Sequence, residues 1–238
     1  MIDKMPSPIL ITGARRSGTS MIAGILKICG AFGGNSLVES NYENHKIRNQ
    51  LFHEYMRRND LDIKGQFPFL PTKDLEIPRG WREKVERIIL EDGYTQGPWM
   101  IKDFRLALTW PAWHYAYPNA KWVIVRRRTG DVVQSCLKTA YMQAFQNPMI
   151  REMIGVESEA DGWRWWVAQY EDRFVEMVME GLNCRVIWPE RMIHGDYQQI
   201  FELVDWLGLK WNSKALEYVD PKFWKARIKE KESWQGQQ

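Results

Sequence analysis

The chain alternates short apolar runs with longer amphipathic stretches, the pattern of strands separated by helices. Ile9, Leu10 and Ile11 form the first run, as a buried strand does. A small polar turn bracketed by Gly13 and Gly18 follows. Met21, Ile22, Ile25, Leu26 and Cys29 then recur at helical spacing, and Gly30 stands where a helix stops. Ala31 to Asn44 is polar and reads as a loop. Ile47, Leu51 and Tyr55 repeat every four residues and predict a helix from about His45 to Arg58. Residues Asp60 to Pro78 show no clear period and read as a surface loop or lid. Trp81, Val85, Ile88 and Ile89 mark a further amphipathic helix that Asp92-Gly93 ends.

The second half repeats the alternation. Trp99-Met100-Ile101 and Trp122-Val123-Ile124-Val125 have the composition of buried strands. Val132, Val133, Cys136 and Leu137 restart a helix, with Thr129 as its expected cap and Asp131 suited to its first turn. Gln146 to Ala160 looks irregular. Trp163, Trp166, Val167, Tyr170, Phe174, Met177 and Val178 trace a long helix whose apolar stripe is expected to pack on the sheet. Arg185 to Trp188 reads as a strand, and Ile200, Leu203, Val204 and Leu207 as a helix closed by Gly208. The basic tail, Lys222 to Lys231, suits a solvated end or a segment that reaches a nucleotide.

Composition narrows the class. At 238 residues with 45% hydrophobic and 26% charged residues, the chain suits one soluble α/β domain over residues 1–238. The net charge of +3 is too small to argue for nucleic acid. No apolar run approaches a membrane span, and the N-terminus lacks the apolar core of a signal peptide. A cytoplasmic location is the expectation. Cys29, Cys136 and Cys184 are odd in number and widely spaced, which suggests reduced thiols. His45, His53, His114 and His194 are scattered, with no HExxH or CxxC pattern, so no metal site is predicted. Most tryptophans, including the cluster Trp163, Trp165 and Trp166, suit the core, though some would suit an acceptor cleft for flat rings.

The candidate chemistry begins at the first turn. A strand, a glycine turn and a helix start aim backbone N–H groups at one point, and the helix dipole adds positive character there. Arg15 and Arg16 add formal charge, and Ser17, Thr19 and Ser20 add hydroxyl donors. The ligand expected is a phosphate or similar oxyanion. Gly13 and Gly18 keep the spacing of a nucleotide-triphosphate loop, G-x-x-x-x-G-K-(S/T), but Thr19 replaces its lysine. A second strand–turn–helix carries Arg126-Arg127-Arg128 before Thr129-Gly130-Asp131.

Arg16-Ser17-Gly18-Thr19-Ser20 resembles the (K/R)-S-G-T-(T/S) loop of sulfotransferases that use 3′-phosphoadenylyl sulfate (PAPS). Arg127 and Ser135 match the arginine and serine, eight apart, of that family's 3′-phosphate motif, with Asp131 at a frequent acid position. Lys102-Asp103-Phe104-Arg105-Leu106 is similar to its K-x-P-R-L segment, with Phe104 for proline. Asn41 to Asn44 resembles its G-Y-x-E-N segment, and Trp206-Leu207-Gly208-Leu209 its C-terminal part.

The resemblance covers Ile9 to Leu209 and implies a P-loop NTPase-like three-layer sandwich with a parallel central sheet. It further implies transfer of a sulfuryl group from PAPS to a hydroxyl acceptor, with adenosine 3′,5′-bisphosphate (PAP) as product and no metal. Arg15, Arg16, Ser17, Gly18, Thr19 and Ser20 would take the phosphosulfate, and Arg127 with Ser135 the 3′-phosphate. Arg16 would also stabilise charge in the reaction. The general base is expected at Glu43, then Glu39, with His45 a third candidate; Glu43 equally suits a helix cap. Lys102 and Arg105 would hold the sulfuryl oxygens or an anionic acceptor, or form a solvated turn. The acceptor, a small molecule or glycan, and the oligomeric state are not readable. Two other functions stay open: a kinase with an altered loop and Asp103 holding magnesium, or a non-catalytic anion-binding protein.

Overall fold

The structure, a computed structural model, describes residues 5–219. The basic tail considered above lies outside the described residues. The first unit is β1 (Ile9–Thr12), the glycine turn and α1 (Thr19–Ile28). A small antiparallel hairpin follows, β2 (Leu37–Val38) and β3 (Glu43–Asn44). Next come α2 (His45–Ile47), a π-helical segment (Arg48–Phe52), α3 (His53–Arg58) and α4 (Trp81–Glu91). Then β4 (Met100–Lys102) leads to α5 (Arg105–Leu108) and α6 (Trp110–Ala116). After them β5 (Lys121–Val125) feeds α7 (Thr129–Leu137), α8 (Pro148–Met153) and the long α9 (Glu159–Met179). The described chain closes with β6 (Cys184–Ile187), α10 (Pro189–Ile193), α11 (Gln198–Leu207) and α12 (Lys214–Glu217).

The larger sheet is parallel throughout, in the order β4-β1-β5-β6. Successive residues of a strand face opposite sides, and both sides of β1, β4 and β5 are buried here. Leu10, Ile101, Trp122 and Ile124 enter one core with Tyr55, Val85, Trp113 and Trp166. Ile9, Ile11, Met100, Val123 and Val125 enter the other with Ile22, Leu26, Ile200 and Leu203. The result is a three-layer α/β sandwich, as expected. None of the helices among the described residues is long and apolar enough to cross a membrane.

Several local expectations are corrected. The polar stretch 31–44 is not all loop, because it contains the β2–β3 hairpin. The helix over 45–58 is interrupted by the π segment. Residues 146–160 are not irregular: the Asn147 side chain caps α8 ahead of Pro148, and the Ser158 side chain caps α9. Arg128, not Thr129, is the cap residue of α7, and no side chain caps that helix. The stripe of α9 packs chiefly on α7 and α5 rather than on the sheet, and Val178 is exposed. The segment 60–78 is a fastened wall more than a lid. Trp166 Nε1 donates to Gly65 O at 2.8 Å, Tyr55 Oη to Glu76 O at 2.6 Å, and buried Gln66 donates to Tyr141 O at 2.9 Å.

The hairpin is pinned by one buried carboxylate. Asp92 Oδ2 accepts from Asn44 Nδ2 at 2.7 Å and Ser36 N at 3.1 Å. Its Oδ1 accepts from Ser36 Oγ at 2.5 Å and lies 3.2 Å from Lys46 Nζ. Burial alone would raise the Asp92 pKa, but the Ser36, Asn44 and Lys46 donors outweigh it and hold the carboxyl below its ordinary value. A depressed carboxyl stabilises the fold above its unfolded pKa, about 3.9, and that contribution is lost as pH falls through the lower folded value. Asp92→Asn should therefore cost about 1.5–3 kcal/mol at pH 7. The gap to the parent should narrow in urea titrations below about pH 4.

Gly13 sets the distance between the first turn and β5. A Cβ there would lie 2.4 Å from Val125 O and 2.6 Å from Ser17 Oγ. Gly13→Ala should lower stability by about 1–3 kcal/mol, since a backbone carbonyl cannot step aside cheaply. Gly130→Ala, with open space around its Cβ, should be neutral or gain up to about 1 kcal/mol. Chemical denaturation of the two variants checks the contrast.

Candidate active site

The site lies at the carboxyl edge of the parallel sheet, where open α/β sheets place ligands. Register sets Lys102 beside Ile11 and Ile124 beside Thr12, so β1, β4 and β5 deliver their following residues to one place. In the glycine turn Arg16 has φ 71° and Gly18 φ 98°. An arginine in the left-handed region costs on the order of 1–2 kcal/mol. That conformation helps turn successive N–H groups to one side, as in anion-binding nests. No side chain caps α1 and no acid lies in its first turn, so its leading N–H groups stay available.

The three arginines after β5 have separate fates. Arg126 pairs with Glu171 at 2.5 Å and lies over the Trp188 ring. Arg128 Nε lies 3.8 Å from Glu190. Arg127 Nη1 instead donates to Arg16 O at 3.0 Å. Arg16 Nε in turn donates to Ser135 Oγ on α7 at 2.9 Å. The two β-to-α junctions thus touch, and Arg16, Arg127 and Ser135 are gathered at one spot.

Beside them opens a cavity of about 550 Å³. Arg15, Arg16, Thr19 and Ser20 line it from the glycine turn and the start of α1, together with Glu43, Arg48, His53, Lys102 and Arg105. Ile63, Phe104 and Tyr141 add apolar surface. The Arg15 guanidinium lies 3.9 Å from the Phe104 ring centroid. Arg15 Nε and Ser17 Oγ are buried without a hydrogen-bond partner among the described residues. Such buried donors call for a ligand or water acceptor. Among the described residues no tryptophan lines this cavity. Trp163 and Trp166 are buried, and Trp165 packs on Phe67, Phe69 and Phe145.

Glu43 does not cap the following helix; Asn44 does, accepting from Ile47 N at 3.0 Å. Glu43 Oε1 instead accepts from Lys102 Nζ at 3.2 Å, both side chains buried. Burial would raise the Glu43 pKa, yet Lys102, Arg105 and Arg15 outweigh it and hold the carboxyl below its ordinary range. Glu39 is exposed, pairs with Lys27 at 2.5 Å and does not line the cavity. His45 is also outside, with its Nε2 at 3.0 Å from Asn49.

Lys102 and Arg105 do face the cavity, but each carries an ion pair. Arg105 Nη1 donates to both Asp103 oxygens at 2.9 Å, and Arg105 N donates to Oδ1 at 2.9 Å. Asp103 is buried in this arrangement, with its two oxygens committed to Arg105. Among the described residues no group of three or more His, Cys, Asp or Glu side chains is placed to hold a metal ion.

Sequence reasoning missed Arg48, His53, Lys64 and Tyr141, which also line the cavity. His53 lies 3.4 Å from Arg105 Nη2. Burial, then Arg105, Arg48 and Arg57, lower its pKa to about 4, so the imidazole is neutral at pH 7. Residues five apart on an α-helix, such as Arg48 and His53, lie about 140° around its axis at 3.6 residues per turn. The wider π turn between them reduces that angle and brings both to the cavity. Nothing in the sequence pattern marks a π turn.

The model of the sulfotransferase family matches residues 8–213. No curated protein sequence matches the chain. In fold, the chain is similar to a sulfotransferase domain from the curacin biosynthetic pathway. The TM-score is 0.56 at 16% identity, over 91% of this chain and 79% of that one. It is similar also to sulfotransferase STF9 from Mycobacterium avium, with TM-score 0.56 and 10% identity over 93% of this chain and 68% of that one. A third likeness is the sulfotransferase domain of the Synechococcus PCC 7002 olefin synthase. Its TM-score is 0.50 at 14% identity, over 95% of this chain and 86% of that one. With the family match running from the residue before β1 to the start of α12, the chain belongs to the sulfotransferase family.

Proposed function

We propose that the protein moves a sulfuryl group from PAPS to a hydroxyl acceptor. The observation that carries this reading is the contact of the two junctions, Arg127 to Arg16 O at 3.0 Å and Arg16 to Ser135 at 2.9 Å. PAPS bears two separate anionic groups on one adenosine, and two adjoining cationic junctions suit it. In this reading the 3′-phosphate accepts from Arg127 and Ser135, whose fork and hydroxyl are suited to phosphate oxygens. The phosphosulfate meets Arg15, Arg16, Ser17, Gly18, Thr19 and Ser20. The unsatisfied Arg15 Nε and Ser17 Oγ support that fit.

Glu43 then takes the acceptor's hydroxyl proton. The acceptor oxygen bonds to sulfur while the bond from sulfur to the bridging phosphate oxygen breaks, and PAP leaves beside the sulfate ester. The cations that keep Glu43 ionised also weaken it as a base, so proton transfer belongs with O–S bond formation, when the acceptor oxygen grows acidic. Once Glu43 is neutralised, the Lys102 ammonium loses its counter-charge as negative charge collects on the departing phosphate. Arg16 and the turn's N–H groups stabilise that same charge. A kinase reading needed Asp103 for magnesium, and both oxygens of Asp103 accept from Arg105.

PAP should raise the melting temperature without magnesium. Stabilisation by ATP with magnesium, and none by PAP, would overturn the proposal. Arg127→Ala should weaken PAP binding about tenfold or more, measured by titration calorimetry. Glu43→Gln should bind PAP normally yet slow acceptor-dependent PAP release from PAPS about 10²–10⁴-fold. Undiminished release would remove Glu43 from the reaction.

A further inference from the structure

The charges around the cavity are unevenly compensated. Lys102 is matched by Glu43 at 3.2 Å and Arg105 by Asp103 at 2.9 Å. Arg48 has only a distant claim on Glu43, at 3.9 Å, and a long contact to Asn49 at 3.4 Å. Lys64 is exposed, and its ammonium has no ion-pair or hydrogen-bond partner among the described residues. Both line the cavity and lie away from the glycine turn in sequence, Arg48 at the start of the π segment and Lys64 in the segment 60–78. His53, neutral at pH 7, adds no charge there.

We propose that Arg48 and Lys64 form an acceptor subsite for an oxyanion, so that the acceptor is a hydroxyl compound with a carboxylate or phosphate group. The inference rests on the reading of this cavity as a PAPS-dependent site, since it assigns the donor's anions to the turn and to Arg127. With those cations engaged, Arg48 and Lys64 are left over in the cavity lining. An arginine fork with only a 3.9 Å claim on a carboxylate is matched by a further carboxylate or phosphate, and a flexible ammonium lining the same cavity adds a second contact. Because Arg48 lies within 4 Å of the Glu43 carboxylate, the anionic group sits close to the reacting hydroxyl along the acceptor. Phe104, Ile63 and Tyr141 then cover its short carbon skeleton. A neutral sugar leaves Lys64 without a counter-charge and Arg48 with only its distant contact to Glu43.

The test uses the full chain saturated with PAP, and probes in matched pairs: glycerol 3-phosphate against glycerol, and 3-hydroxybutanoate against 1,3-butanediol. Binding is read by ligand-observed NMR. At least one anionic probe should bind and its neutral partner should not, with affinity falling as salt is raised. The preferred anion separates phosphate from carboxylate. Lys64→Gln and Arg48→Gln should each weaken that binding about tenfold while PAP affinity is unchanged. Lys64 is exposed, so its variant stays informative even where Arg48→Gln folds poorly. Equal binding of neutral and anionic probes, no binding of either anion, or full binding in the Lys64→Gln variant overturns this subsite and leaves the donor reading standing. Failure of PAP itself to bind overturns the donor reading instead.

Discussion

The close approach of the first glycine turn to the end of β5 is the constraint on which the site depends. β1 and β5 are adjacent, parallel and in register, so their following segments emerge side by side. Only a residue without a side chain lets the turn settle against the Val125 carbonyl. From that proximity follows the reach of Arg127 to the Arg16 carbonyl, and of Arg16 to Ser135. Arg16 holds a backbone conformation that favours glycine, yet its side chain and its carbonyl are both used across the junction. The local strain is offset by contacts that tie two distant parts of the chain together.

Around that junction the protein sorts its cations by how each is neutralised. Two of the three arginines after β5 are anchored by glutamates, Glu171 and Glu190, and the middle one is directed inward. On the β4 side Lys102 and Arg105 are held by Glu43 and Asp103. Buried ion pairs of this kind contribute little net stability, because desolvation offsets their attraction. Their effect here is positional. They fix which groups present free donors to the cavity and keep the Glu43 carboxylate ionised.

β1, β4 and β5 of the parallel sheet were legible because each is an apolar run leading into a glycine or a charged residue. Ile9 to Ile11 and Trp122 to Val125 are plain in this respect. The two β-to-α junctions were legible for a related reason: a glycine turn follows one apolar strand and an arginine run the other. What stayed hidden depends on contacts between segments far apart. Glu39 and Glu43 look alike in sequence, but Glu39 turns outward to Lys27 while Asp92, far along the chain, holds the hairpin that directs Glu43 inward. Arg48 and His53 were unreadable because the helix that bears them changes its winding between them. The helix Pro148–Met153 is a different kind of miss, since Asn147 followed by Pro148 is a local start signal.

The π turn also separates two histories. A π turn is an α-helix with one residue too many, so a single insertion or deletion between Arg48 and Phe52 would switch it on or off. Such a change would swing His53 around the helix axis while leaving β1, the glycine turn and Arg127 untouched. Chains built on this scaffold therefore have a one-codon route to a new set of groups in the same cavity as an unaltered glycine turn.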